Sequence, residues 1–234
     1  MMKLKEAVYT VPRRWPEAGA EKCDIQLRKA GGESAKSPLI GNALTWRPPA
    51  PVWCTIGGMI VYFLRHASAG QPVVNSREDE KRPIDKEGEK QSHDVGHLLA
   101  AMKVEVDVII SSPLTRALQT AEIVAGDSSH QNKIVTDDAM RPGATYDQFQ
   151  DLLTRYRKNE AIMVVGHNPS ITGFVQRLLT GNESRDWFEF KKGAVVKVEV
   201  EGRQASLQWV MTPKMARALQ TASATKSRPN TSRK

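Results

Sequence analysis

Residues 59–69, MIVYFLRHASA, decide how the rest of the chain is read. Six apolar or aromatic residues stop abruptly at Arg65-His66. A short apolar run of this kind, ended by polar residues, predicts a strand at about 59–64. The texture changes at Met59: the preceding stretches "RRWPEAGAEK" and "TWRPPAPVWC" carry scattered Pro, Gly and Trp with no sustained period. Residues 1–58 are therefore expected to form an extension with little independent structure. A natural start at Met59 is the alternative reading, since the remainder would still be a complete small domain.

Outward from the first strand, apolar runs alternate with helical patterns. A polar loop is expected to about residue 84. Asp85 can cap a helix running to about Met102, with Glu87 and Glu89 in the first turn, where the helix dipole favours acids. "VDVIIS" reads as a strand at about 106–111. Ser112-Pro113 reads as a cap followed by proline, opening a helix to about Ala125. "NKIVT" is a short strand, residues 145–158 a helix, and "AIMVV" a buried strand at 161–165. Asn168-Pro169 opens a further helix to about Leu179. "AVVKVEV" and "ASLQWVM" alternate as two strands about the turn Glu201-Gly202-Arg203. The order predicts an α/β fold, three layers α/β/α, with a mostly parallel central sheet over residues 59–212. Residues 213–234 read as a basic tail, expected to be disordered apart from a weak helix at 214–221.

Charge and cysteine usage narrow the function classes. The chain has 234 residues and a formal charge of +8. The excess lies in the flanks: 1–58 carries +4 and 213–234 carries +6, while 59–212 carries −2. That distribution argues against nucleic acid as the main partner, because the folded region offers no basic excess. Cys23 and Cys54 lie outside the folded region and form no CxxC pair, so no disulfide framework is expected and a cytoplasmic location fits. The most apolar stretch, 51–64, falls short of the roughly 20 residues needed to span a membrane.

Ligands in open α/β sheets gather at the carboxyl ends of strands. Arg65-His66 follows the first strand, Gly166-His167 follows "AIMVV", and Arg116 lies in the first turn after "VDVIISS". Three junctions thus send two arginines and two histidines toward one sheet edge. Helix N-termini and loop amides at such junctions favour anions, and guanidinium forks match phosphate oxygens. A neutral histidine among arginines can act as a nucleophile on phosphorus. Singly, each residue reads as a structural histidine or a solvated arginine; the coincidence makes a phosphate site a live reading.

"FLRHASA", "SSPLTRALQTAEIV" and "VVGHNPSI" resemble, in order and spacing, the three signature blocks of the histidine phosphatase superfamily. The resemblance spans about residues 59–212 and implies a phosphoglycerate mutase-like fold; "GHNP" and the short length resemble the SixA-type branch. It implies a cofactor-free and metal-free phosphatase in which His66 takes the phosphoryl group, with Arg65, Arg116 and His167 binding its oxygens. Two positions depart from the family pattern. Ala67 stands where the family has Gly, and Ser68 stands where mutase members carry Glu, which argues against a mutase. An acid for an alkoxide leaving group is sought in "TDDAMRPG", at Asp137 or Asp138, with exposed loop acids as the alternative. A weak acid favours phosphohistidine, so a phosphorylated protein, a histidine-containing phosphotransfer protein, is the expected partner. A small phosphorylated metabolite is the alternative substrate, and a non-catalytic phosphoprotein-binding module the alternative class.

Three further features read as structural. His93 and His97 are spaced to share a metal on a helix, yet no third ligand is evident, so surface or packing roles are expected. Residues 71–84 read as a solvated loop that could border the pocket. Trp187, Phe188 and Phe190 read as packing.

Overall fold

The computed structural model describes residues 58–130, 134–181, 189–202 and 204–226. Apart from Gly58, the extension lies outside the described residues, as do Trp187, Phe188 and 227–234. Six strands and six helices are described: β1 (Met59–Arg65), α1 (Ser76–Glu80), α2 (Lys86–Ala101), β2 (Val108–Ser111), α3 (Thr115–Asp127), β3 (Ile134–Thr136), α4 (Tyr146–Arg155), β4 (Ala161–Gly166), α5 (Ser170–Thr180), β5 (Val195–Glu201), β6 (Gln204–Met211) and α6 (Pro213–Lys226).

The strands form one sheet in the order β3-β2-β4-β1-β5-β6. The first four pair in parallel, but β5 runs antiparallel to β1 and β6 antiparallel to β5. The sheet is therefore mixed rather than mostly parallel. β5 is the reversed strand, and the tight turn at Gly202 returns β6 antiparallel to it, because so short a connection cannot reach a parallel neighbour.

Period-2 alternation divides the strands between two buried layers. Val61, Phe63, Ile162 and Val164 pack with Phe149, Leu152, Leu153, Phe174 and Val175 of α4 and α5. Tyr62, Leu64, Met163 and Val165 pack on the other face with Val95, Leu99, Ala117, Ala121 and Val124 of α2 and α3. Strands covered on both faces read as continuous apolar runs, which is why "MIVYFL" and "AIMVV" carry no polar alternation.

Local signals fix several boundaries. Asp85 caps α2, its carboxylate accepting from the Gly88 amide at 2.7 Å. Thr145 and Gln148 form a capping box on α4. The expected start of α3 at Ser112-Pro113 is corrected: the helix begins at Thr115 with Leu114 as N-cap and no side-chain cap. The tail is corrected too. A helix runs from Pro213 to Lys226, longer than the one expected at 214–221. Ala216 is fully buried, and Arg217 ion-pairs with Asp94 of α2 at 2.6 Å. α6 thus carries the layer containing α2 and α3 past residue 212. Among the described residues, no helix is long and apolar enough to cross a membrane.

Candidate active site

Strand register explains why two histidines 101 positions apart in sequence meet. β1 and β4 lie side by side with Arg65 opposite Gly166, so the next residue of each chain is a histidine. The His66 amide donates to the Gly166 carbonyl at 3.0 Å, and the two rings lie 4.8 Å apart, centroid to centroid. On the other side of β4, Ser111 pairs with Val165, which sets Ser112 beside His167; Ser112 Oγ lies 2.9 Å from His167 Nε2. One residue into α3, Arg116 comes from the same edge. Arg65, His66, Arg116 and His167 all line one cavity of about 260 Å³, together with Gly70, Gln71, Pro72, Arg82, Pro142, Asn168 and Lys192.

The electrostatics follow from burial. His66 is 8% and His167 2% exposed. Burial pushes the His66 pKa down to about 3; the Ala67 carbonyl opposes this, while Arg116, Arg65 and Lys192 push further down. Burial likewise lowers His167 to about 2, with His66, Arg116 and Arg65 acting in the same direction. Both rings are neutral at neutral pH. The Ala67 carbonyl lies 2.7 Å from His66 Nδ1. A carbonyl only accepts, so Nδ1 carries the hydrogen and the lone pair sits on Nε2.

The cationic groups are desolvated and only partly partnered. Arg65 donates to the Phe190 carbonyl at 2.6 Å. Arg116 donates to the Asp79 carbonyl at 2.7 Å and pairs with its carboxylate at 3.2 Å. Arg65 Nε, Arg116 Nε and His167 Nδ1 are buried with no hydrogen-bond partner among the described residues. Buried donors without acceptors are costly, and an anion in this cavity would supply the acceptors.

A supporting layer holds the loop after His66. The Ala67 amide donates to Thr120 Oγ1 at 3.1 Å, and that hydroxyl donates to the Arg116 carbonyl at 2.7 Å. One carboxylate oxygen of Asp85 accepts from Ser68 Oγ and from the Gly70 amide, both at 2.8 Å. A Cβ on Gly88 would stand 2.0 Å from the Ser68 carbonyl oxygen, so only glycine lets α2 approach this loop. Ala67 is fully buried, so its methyl group is accommodated where the family has Gly.

Neither sequence-proposed acid lines the cavity. Asp137 accepts from the Ala139 amide at 2.9 Å and pairs with Arg155 at 2.6 Å. Burial acts to raise its pKa, but these two partners outweigh it and hold the carboxyl below its usual range. Asp138 is 80% exposed and paired with Arg141 at 2.6 Å. Their sequence spacing suits the cap of the short 3-10 turn Asp138–Met140, and that is what Asp137 does. Sequence reasoning missed Asp79, which lies on α1 within the supposed loop. Hydrogen bonding from Arg82, then from the Val73 amide, holds its carboxyl at about 2. The signal was available: Asn75 before Ser76, with Glu78 and Asp79 in the first turn, is a helix start. Lys192 and the Phe190 carbonyl were also missed, and no sequence pattern marks them.

The fold and cavity define an α/β protein with a cationic, partly desolvated cavity at the carboxyl edge of its sheet. Residues 61–142 match the histidine phosphatase superfamily (branch 1). Phosphohistidine phosphatase SixA of Escherichia coli K12 is 28% identical over 170 residues, covering 69% of this chain and 100% of that protein. An uncharacterised protein of Picosynechococcus is 27% identical over 140 residues, covering 59% of this chain and 83% of its own length. A structure of SixA complexed with tungstate superposes with a TM-score of 0.60 at 22% identity, covering 67% of this chain and 98% of that one. Phosphoglycerate mutase from Bacillus anthracis shares the fold at a TM-score of 0.51 and 11% identity, covering 70% and 97%. Over residues 61–142 the chain is thus similar to the histidine phosphatase superfamily, and the SixA-type proteins are among the relatives it resembles in sequence and in fold.

Proposed function

We propose that the protein removes phosphate from phosphohistidine on a protein substrate, by way of a phosphohistidine on His66. The observation that carries this reading is the cavity lining: among the described residues it contains cations, neutral histidines and amides, but no carboxylate. An alkoxide leaving group needs a proton donor, and such a donor contributes roughly 10²–10⁴ in rate. Imidazole leaves phosphorus readily once its ring is protonated, so an N–P bond can be cleaved without an enzyme acid. The cavity volume points the same way. At about 260 Å³ it lies below the roughly 300–1,000 Å³ of pockets that enclose a whole small ligand. It suits a phosphoryl group reaching in while the rest of the substrate stays outside.

Two displacements on phosphorus make up the reaction. The His66 Nε2 lone pair attacks phosphorus in line, the new N–P bond forms, and the substrate imidazole departs with its electron pair as the old bond breaks. Water then attacks the same phosphorus, releasing phosphate and restoring neutral His66. Arg65, Arg116 and His167 donate to the equatorial oxygens, whose charge is offset most where it is greatest, in the transition state. The Ala67 carbonyl stabilises the cationic ring that forms when His66 is phosphorylated. SixA named as a phosphohistidine phosphatase at 28% identity supports the substrate class.

The test is turnover on a phosphohistidine peptide beside p-nitrophenyl phosphate and common metabolite phosphates. The peptide is expected to be preferred, with His66→Ala reducing its turnover to background. Asp137→Asn and Asp138→Asn are expected to leave ester turnover within about twofold, against the loss expected on removing a true general acid. Preference for metabolite esters, or a folded His66→Ala protein with full activity, would overturn the reading.

A further inference from the structure

We propose that His93, His97 and Asp127 form a binding site for a divalent transition-metal ion, best suited to zinc, which clamps α2 to α3. The two histidines lie one turn apart on α2, and α3 delivers the third ligand that the sequence did not reveal. Asp127 Oδ2 lies 2.7 Å from His93 Nδ1 and 3.8 Å from His97 Nε2. One ligand atom from each of the three residues falls within 4.8 Å of the others. Tetrahedral zinc with bonds of about 2.0–2.1 Å separates its ligands by about 3.3 Å. The three atoms straddle that value, and small side-chain rotations reach it. His93 and His97 are 53% and 58% exposed, so both rings can turn. Two imidazoles and a carboxylate suit zinc and its neighbours in the series, with water completing the shell.

Two independent features place Asp127 for this role. A Cβ on Gly96 would stand 2.6 Å from Asp127 Cβ, so α2 offers bare backbone there and α3 packs directly on it. Asp127 is also the last residue of α3, where the carbonyl ends of the helix already carry partial negative charge, and no basic residue lies in that last turn. Its ion-pair partners among the described residues are the two histidines themselves. A dication would offset both the carboxylate and the helix terminus.

The site is separate from the anion cavity. At 1.5 Å per residue, His93 lies about 12 Å along α2 from Asp85, and Asp127 about 16 Å along α3 from Arg116. The ion would act on stability through the α2–α3 contact, not on the reacting phosphate.

Calorimetric titration of the full chain with zinc chloride tests the proposal, alongside cobalt(II) spectroscopy. One zinc per chain is expected, with affinity falling at least about tenfold in His97→Gln and further in His93→Gln/His97→Gln. The visible bands of tetrahedral cobalt are expected to vanish in the same variants. Phosphatase turnover equal to the parent serves as the folding control. No zinc uptake by the parent, or affinity and cobalt bands unchanged in the folded variants, would overturn the site.

Discussion

Lowering the pH from 7.5 to 5 is expected to destabilise this protein strongly through the two cavity histidines. Unfolded, each ring titrates near 6.5; folded, His66 titrates near 3 and His167 near 2. Between those values the unfolded chain binds protons that the fold refuses. Stability therefore rises with pH through this window and is complete above about 6.5. At pH 5 each ring accounts for a loss of about 2 kcal/mol, from a slope of about 1.4 kcal/mol per pH unit. Together they remove about 4 kcal/mol from a total that is commonly 5–15. Asp79 and Asp85, whose pKa values are lowered, add acid sensitivity only below about pH 4. With a urea slope of about 2 kcal/mol per molar, the midpoint should fall by about 2 M. Urea unfolding at pH 7.5, 6.0 and 5.0 measures this, and His167→Gln should roughly halve the change. A midpoint that stays level from pH 7.5 to 5 would refute the premise that both rings are buried and neutral.

Two substitutions probe the layer behind the site. Thr120→Val keeps the shape but leaves the buried Ala67 amide without its acceptor, costing about 1–3 kcal/mol. Thermal unfolding reads that loss, and kcat should fall with it because the same loop carries His66; an unchanged melting temperature would show that the hydroxyl is dispensable. Gly88→Ala sets a methyl group 2.0 Å from the Ser68 carbonyl oxygen, a backbone atom that cannot swing aside. Turnover is expected to drop more sharply than stability, since α2 must back away from the Ser68–Gly70 loop; full activity would mean that the loop geometry tolerates the shift.

What the sequence made legible was whatever strand register and helix starts encode. Arg65-His66 and Gly166-His167 end two apolar runs, and parallel pairing of those runs is enough to bring the histidines together. Arg116 was legible for the same reason. Between the two readings of Asp137 and Asp138, acid or loop residue, the sequence could not choose, because side-chain direction in an irregular loop has no period to read. α1 escaped because five residues give no apolar stripe. The edge hairpin was legible as a hairpin, but no local pattern shows that β5 joins β1 antiparallel, which is what makes the sheet mixed. Asp127 could not have been matched to His93 from sequence, because only the packing of α3 on Gly96 creates the contact.

That contrast separates two kinds of information in the site. Groups that face the cavity come from residues at strand ends, where sequence position dictates spatial position. Groups that hold them come from residues that tertiary packing recruits: Asp85 from a helix cap, Gln91 from the second turn of α2, Thr120 from one turn beyond Arg116, Asp79 from α1. Each of these ties the loop 66–70, or Arg116 itself, to a rigid element, and each does so through a buried or half-buried hydrogen bond. The consequence is that α2 and α3 act as one support. α2 holds Ser68 and Gly70, α3 holds Ala67 and carries Arg116, and the two helices touch at Gly96 and Asp127. Breaking the bonds of Asp85, Gln91 or Thr120 is therefore expected to shift the loop after His66 relative to Arg116, whereas the Gly96–Asp127 contact lies at the far end of the same support.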